Sequence, residues 1–171
     1  MKIVNSVPPV SDAVKYEAWK KQWSVQEGLD IHLYISDQCH PEQMLLFSKI
    51  LFPDFVVIDD GVFLERNFTK EVFDDRWLEA AGDVSKVERI LNYVHVYDIF
   101  GQCNEPVSES VFLQLSHVIA FSWGMVLREK FPGKNFCVEA SNSEDDYGPV
   151  ITFFSVGNGK DCASPEGGVV E

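Results

Sequence analysis

Four polar residues near the middle of the chain have the types and the spacing of a small reactive group. Glu88, Asn92, His95 and Asp98 follow one another at steps of four, three and three residues, which would place them near one face of a single helix. A carboxylate that orients an imidazole is how general bases and metal ligands are held. Two interpretations stay open: a polar helix face, which we favour, and a hydrolase site of His95 with Asp98 or Glu88, with or without a loosely held divalent metal.

Other motifs for catalysis or ligand binding are missing from the sequence. Zinc sites need converging ligands that close Cys and His pairs usually announce, and here only Cys39 and His40 are adjacent. There is no Gly-x-Ser-x-Gly elbow, and the run from Gly157 to Lys160 lacks both the Walker spacing and a following helix. We therefore expect no bound metal, no cofactor and no enzymatic activity.

The charge of the chain is strongly negative. Lys and Arg number 14 against 27 Asp and Glu, so the formal net charge is -13. A field of this sign repels phosphate backbones and anionic lipid headgroups, which excludes nucleic acid and membrane as favoured partners. The plain interpretation is a solubilising surface, and the sharper one is a basic protein partner.

The acidic residues gather in three predicted segments. They surround the first predicted hairpin at Asp54, Asp59, Asp60 and Glu65, follow on the next helix at Glu71, Asp74, Asp75 and Glu79, and fill a later loop at Glu144, Asp145 and Asp146. If these segments share a face, they form an anionic patch that speeds association with a basic protein. Tyr147 lies beside this loop cluster and is the predicted aromatic anchor. The predicted partner-binding residues are Asp59, Asp60, Glu65, Asp74, Asp75, Glu144, Asp145, Asp146 and Tyr147.

The sequence carries no recognisable address for export. Residues 1–9 hold no apolar run of signal-peptide length, and we expect no segment to approach the length of a membrane span. Four scattered cysteines without a Cys-x-x-Cys pair favour reduced thiols. We therefore expect a cytoplasmic protein, and its oligomeric state stays undetermined.

The elements that must position these residues are predicted to form one α+β domain over residues 1–156, followed by a flexible Gly-rich tail at 157–171. Strands are predicted for the alternating run 29–35, as one option, and for two antiparallel hairpins. The first hairpin pairs 55–58 with 62–65 around Asp59-Asp60-Gly61, whose Gly can take a positive φ, and the second pairs 135–140 with 149–156.

About four to five helices are predicted to pack against these hairpins. One follows Ser11-Asp12, and a well-buried one opens at His40-Pro41 and runs to Phe52. The next runs from Thr69 to Gly82, and another starts at a capping box formed by Ser85 and Glu88. The broad apolar face of 108–130 predicts a long central helix.

Several short phrases between residues 52 and 154 carry a loose family resemblance. They are Phe52-Pro53-x-Phe55 with Asp60-Gly61-Val62-Phe63-Leu64, Glu88-x-x-x-Asn92-x-x-His95-x-x-Asp98, Trp123-x-x-x-Leu127, and Phe131-Pro132-x-x-x-Phe136-x-Val138 with Val150-x-Thr152-Phe153. In these phrases the chain resembles small acidic bacterial immunity proteins of polymorphic toxin and contact-dependent inhibition systems. The resemblance implies a cytosolic inhibitor that occludes a basic toxin domain, often a nuclease, and it implies no residue-level site. A non-catalytic subunit of a larger assembly is a further alternative.

Overall fold

Seven α-helices and two small antiparallel sheets make up residues 2–157, the part of the chain that a computed structural model describes. The helices are α1 (Val14–Lys20), α2 (Ile31–Gln38), α3 (Pro41–Leu51), α4 (Lys70–Glu79), α5 (Val84–Leu91), α6 (Val96–Ile99) and α7 (Glu109–Lys130). The strands are β1 (Phe55–Ile58), β2 (Gly61–Leu64), β3 (Val94–His95), β4 (Asn135–Ser141) and β5 (Val150–Val156). The prediction of an α+β fold is confirmed, with more helices than the four or five expected.

The core lies between α7 and a three-stranded sheet of order β3-β5-β4. The long helix predicted over 108–130 is α7, with Ser108 as its N-cap, and Ile119, Trp123 and Leu127 of this helix are buried. By length and composition α7 could cross a membrane, so the expectation that no segment approaches such a span is wrong. In this fold α7 packs against β4, β5 and α3, which makes it the central helix that its apolar face predicted.

The hairpin of β1 and β2 is confirmed, although its turn works differently from the expectation. Asp59 (φ 47°) and Asp60 (φ 66°) both adopt positive φ, as a two-residue type I′ turn requires. Gly61 instead begins β2, where an added Cβ would lie 2.6 Å from ring carbons of Phe63. The glycine is therefore needed for close packing under the aromatic ring and not for the turn.

The alternating run 29–35 does not form a strand, because residues 31–35 belong to helix α2. Asp30 caps this helix by accepting a hydrogen bond of 2.8 Å from the backbone N–H of Leu33. Tyr34 then packs edge-on against Trp19, whose Nε1 donates to Asp37 at 2.8 Å. The helix cap and the contacts with α1 therefore make this run helical, although its alternating pattern is typical of a strand.

Two expectations about helices α3 and α5 are wrong. Helix α3 begins at Pro41 as predicted but is not well buried, because none of its residues is buried. Helix α5 has no capping box at Ser85, because Asp83 is its N-cap and accepts from the N–H of Lys86 at 3.2 Å. Glu88 is therefore free for another role in the core.

The thiols also depart from expectation. Cys39 and Cys103 are exposed free thiols, whereas Cys137 is disulfide-bonded. The prediction of reduced cysteines is therefore wrong at Cys137. The predicted Gly-rich tail falls, apart from Gly157, outside the described residues.

Candidate functional site

The four polar residues predicted to share one helix face lie on three different elements. Helix α5 ends at Leu91, with Asn92 as its C-cap. His95 follows in the short strand β3, and Asp98 lies in α6. The single helix face is therefore wrong, because the chain turns into the sheet at Val94, which pairs with Ile151.

Glu88 and Asn92 join the two sheets through their side chains, and both are fully buried. Glu88 accepts at Oε1 from the N–H of Val62 at 2.8 Å, and at Oε2 from the N–H and the hydroxyl of Ser155 at 2.5 Å. Asn92 accepts from the N–H of Leu64 at 2.8 Å and donates through Nδ2 to the carbonyls of Val62 at 2.9 Å and Phe153 at 3.2 Å. We call this pair the sheet clamp. Its groups are occupied by backbone partners and by the Ser155 hydroxyl, so it positions strands and does not touch His95 through any of these bonds.

His95 lies between two tyrosine rings. Tyr147 stacks on the imidazole with ring centroids 3.9 Å apart and planes inclined by 18°. Tyr93 meets it edge-on at 5.1 Å. His95 Nδ1 is buried without a hydrogen-bond partner among the described residues. Among the described residues no carboxylate accepts a hydrogen bond from this nitrogen, so the predicted pairing of His95 with Asp98 or Glu88 is not made at Nδ1.

Two Tyr–Asp hydrogen bonds hold the β4–β5 loop, residues 142–149, over β3 and α6. Tyr147 donates its hydroxyl proton to Asp98 Oδ2 at 2.7 Å, and Tyr93 donates to Asp146 Oδ1. Asp146 also accepts from Ser143 Oγ at 2.7 Å. The loop is thereby fixed to the preceding segment at two points.

These bonds shift the acidities of the groups that make them. Burial and the hydrogen bond to Asp146 raise the pKa of Tyr93 to about 12. The hydrogen bond to Asp98 also raises the pKa of Tyr147 above its ordinary value of 10.0. Hydrogen bonds from Tyr93 and Ser143 lower the pKa of Asp146. The phenols therefore stay neutral donors and Asp146 stays an ionised acceptor around neutral pH.

Gly148 gives the loop its path. Its φ of +99° lies in a region that L side chains rarely adopt, and an added Cβ would lie 2.3 Å from the Tyr97 ring. Glycine therefore lets the loop return closely over α6, which places Tyr147 against His95.

Five carboxylates lie on the β4–β5 loop or on the elements next to it. Asn142 Nδ2 donates to Glu109 Oε1 at 3.1 Å, which brings the first turn of α7 to the loop. The carboxylates are Asp98, Glu109, Glu144, Asp145 and Asp146, and we call the surface that they form with Tyr93 and Tyr147 the loop face. Within residues 2–157, none of the five takes part in an ion pair with Lys, Arg or His. The loop face therefore carries uncompensated negative charge.

The other predicted partner-binding residues lie elsewhere. Lys134 Nζ binds Asp60 Oδ1 at 2.6 Å, which places the Asp59–Asp60 turn beside the start of β4, whereas the loop face lies beyond its end. The seven-residue ladder between these points is roughly 20 Å long. Asp74 is paired with Lys70 on α4, where Asp75 is its neighbour, and Glu65 lies in a 3-10 turn after β2. The nine residues therefore do not form one cluster.

Sequence reasoning missed two members of the loop face. Tyr93 reaches Asp146 across 53 residues, and Glu109 reaches Asn142 across 33 residues. No local pattern signals either contact. Tyr93 and His95 do share the period of a strand, which could have placed both side chains on one side of the chain.

Comparisons with known proteins found no match among protein-family profiles, curated sequences or solved structures.

Proposed function

We propose that this chain is an acidic binding protein that covers a basic surface of another protein with its loop face, as an immunity protein neutralises a toxin. The observation that carries the proposal is the set of five carboxylates, gathered around an exposed tyrosine, that have no paired cation among residues 2–157. The partner would be a basic protein, with a nuclease-type toxin as the leading candidate, and binding would need no cofactor.

The charge of the loop face supports recognition of a cationic surface. Glu144 and Asp145 are exposed at the tip of the loop, and Asp98, Glu109 and Asp146 lie around them. A local excess of one sign steers a partner of the opposite sign and raises its association rate. Wrong partners with acidic surfaces are repelled by the same groups.

Tyr147 supports a specific contact at the centre of this charge. Its side chain is 57% exposed, yet its hydroxyl is held by Asp98 and its ring by His95. Tyrosines are enriched among residues that dominate binding energy, and a side chain that is ordered before binding loses less conformational entropy on association. A pre-ordered Tyr147 is therefore suited to anchor a partner.

The first test is the identity and the kinetics of the partner. Protein retained from the native host by the immobilised chain would be purified and its binding measured in real time. We expect a basic protein whose growth inhibition is relieved by co-expression of this chain. A neutral or acidic partner whose association rate does not change with salt would defeat the proposal.

Matched variants assign the binding to the loop face. Glu144→Gln with Asp145→Asn should slow association several-fold, and Tyr147→Ala should weaken binding about thirty-fold or more if the residue is a hot spot. The control is Glu71→Gln with Asp75→Asn, which removes the same charge from exposed positions on α4. Equal effects of the two double variants would mean that net charge, and not the loop face, governs association.

A further inference from the structure

Helix α3 presents apolar side chains to solvent on all sides of its second turn. Met44 is 68% exposed, Leu45 71%, Leu46 72% and Phe47 50%, and Phe52 just after the helix is 51% exposed. Helices that are apolar on all sides are normally covered, and contiguous exposed apolar patches mark interaction surfaces. None of these residues belongs to the loop face.

An apolar groove begins where α3 ends. It has a volume of about 820 Å³ and lies between the start of β1 and the last turns of α7. Its walls are Phe52, Phe55, Met125, Val126 and Phe131. The molecule thus carries a projecting apolar segment and an apolar groove next to each other.

We propose that this surface binds a second copy of the chain, with the two α3 helices antiparallel about a two-fold axis. In an antiparallel pair centred on Leu46, the exposed segment 44–47 of each copy lies opposite residues 45–48 of the other copy, so the two apolar segments cover each other. A two-fold arrangement uses the same apolar segment on both copies.

The charges at this surface favour a second copy over a basic protein. Lys49 is paired with Asp54 at 2.8 Å, and Glu129 and Lys130 are neighbours on the rim of the groove. Together with Glu42 of α3, the surface carries three acids and two lysines, so it is much closer to neutral than the loop face.

The antiparallel orientation is also complementary within α3. The helix runs from Pro41 to Leu51 and is centred on Leu46, so Glu42 in its first turn comes opposite the last turn that holds Lys49 of the second copy. The same contact occurs twice across the axis. The two helix dipoles oppose each other in this orientation, which places each negative helix end beside a positive one.

The available area suits a weak dimer. Five side chains between half and three-quarters exposed supply at most roughly 600 Å² of apolar surface per copy, because residues 44–47 point to all sides of the helix. Stable interfaces bury about 800 Å² per partner, and interfaces below about 1,200 Å² in total are typical of weak, transient complexes. The surface is therefore of the size expected for a dimer that forms at micromolar concentrations.

The test is sedimentation equilibrium of the full chain at about 0.1 M ionic strength over a range of micromolar concentrations. We expect a species of twice the 19.4 kDa chain mass. Leu46→Glu should raise the dimer dissociation constant at least ten-fold. At a chain concentration below the wild-type dissociation constant its unfolding midpoint in urea should match that of the wild type, because Leu46 is exposed within the monomer. Leu78→Glu is the control, since Leu78 on α4 is 77% exposed and lies outside this surface.

Charge exchange tests the antiparallel orientation. Glu42→Lys and Lys49→Glu should each weaken self-association by about three- to ten-fold, because each places like charges opposite one another twice. An equimolar mixture of the two variants should restore it. In the mixed dimer the introduced lysine of one copy faces the introduced glutamate of the other, and across the axis the unchanged Lys49 faces the unchanged Glu42. A mixture as weak as its components would overturn the orientation.

The remaining outcomes separate the occupants. A dimer with a micromolar dissociation constant is well populated at a chain concentration of about 100 µM. A chain that stays monomeric at that concentration would overturn the proposal, as would a dimer insensitive to Leu46→Glu. If the chain is monomeric and Leu46→Glu abolishes its binding to the captured basic protein, α3 binds that protein. If the monomer floats with vesicles of neutral phosphatidylcholine, α3 binds lipid. Either result would overturn the proposal of a dimer.

Discussion

At the scale of single residues, two phenols and two carboxylates decide how firmly the loop face is held. Tyr93 has its pKa raised to about 12 by burial and by Asp146, so the neutral phenol is favoured in the folded state. Its contribution to stability is fully present below pH 10 and is lost as the pH rises through 12. The pKa of Asp146 is lowered from 3.8, so its contribution is present above that pH and lost as the pH falls through the lowered pKa. The Tyr93–Asp146 bond is therefore intact over the whole neutral range.

The Tyr93 phenol offers a direct test of this loop geometry. The difference in ultraviolet tyrosinate absorbance between the wild type and Tyr93→Phe should show a transition centred near 12. In Asp146→Asn the Tyr93 midpoint should fall but stay above the ordinary 10.0, because burial, the largest cause of the shift, remains. Glu144→Gln is the control, since it removes a charge from the same loop without a contact to Tyr93. A wild-type midpoint at the ordinary 10.0 would contradict the loop position.

At the scale of elements, α5 connects a hairpin and a sheet that share few direct contacts. The sheet clamp gives backbone groups of β2 and β5 hydrogen-bond partners that a continuous ladder would otherwise supply. Val62, Leu64 and Phe153, whose backbone groups it binds, are all buried members of one core cluster. The clamp therefore fixes the position of the hairpin relative to α7.

Glu88→Gln should destabilise the protein by about 2–4 kcal/mol, because the amide meets a backbone donor with its own donor and leaves a buried group unpaired. The free energy of unfolding in urea measures this loss. Glu71→Gln, an exposed change of the same chemistry, should stay within about 0.5 kcal/mol of the wild type. A Glu88→Gln protein as stable as that control would show that the carboxylate is not needed between the sheets.

Elements with local signals were predicted from the sequence, and those set by distant contacts were not. Thr69 caps α4, Ser108 caps α7, and Asp59-Asp60 turns the first hairpin, each by chemistry within four residues. Glu88 instead meets Val62 and Ser155, which are 26 and 67 residues away, so a capping role was predicted in place of the clamp. In the candidate site, the acidic loop and Tyr147 were named from sequence, and their role as a binding surface stays a prediction. The stacking of Tyr147 on His95 could not be foreseen, because it depends on how α6 and the loop meet.

At the scale of the whole molecule, the loop face and the α3 surface differ in charge and polarity. Among residues 2–157, the loop face holds carboxylates without paired cations, whereas the α3 surface is apolar with a nearly balanced rim. Two copies of net charge -13 repel each other at long range, and a basic partner is attracted over the same distances. The two associations are therefore expected to respond to ionic strength with opposite sign.

Raising the ionic strength from about 10 mM to about 100 mM shortens the Debye length from about 30 Å to about 10 Å. Dimerisation through α3 should then strengthen in sedimentation experiments, and association with the basic partner should slow in stopped-flow experiments. Leu46→Glu should remove only the first response, and Glu144→Gln with Asp145→Asn should flatten only the second. Two responses of the same sign would show that one surface serves both associations.

The sheet clamp has a consequence for how this fold can vary among descendants. Backbone ladders tolerate almost any substitution, because every residue except proline brings the same amide and carbonyl. Here the junction between two sheets depends on one carboxylate and one carboxamide a helical turn apart, so a single codon change can undo it. Lineages that keep this architecture should hold positions 88 and 92 fixed while the acids of the loop drift to follow whatever molecule they recognise.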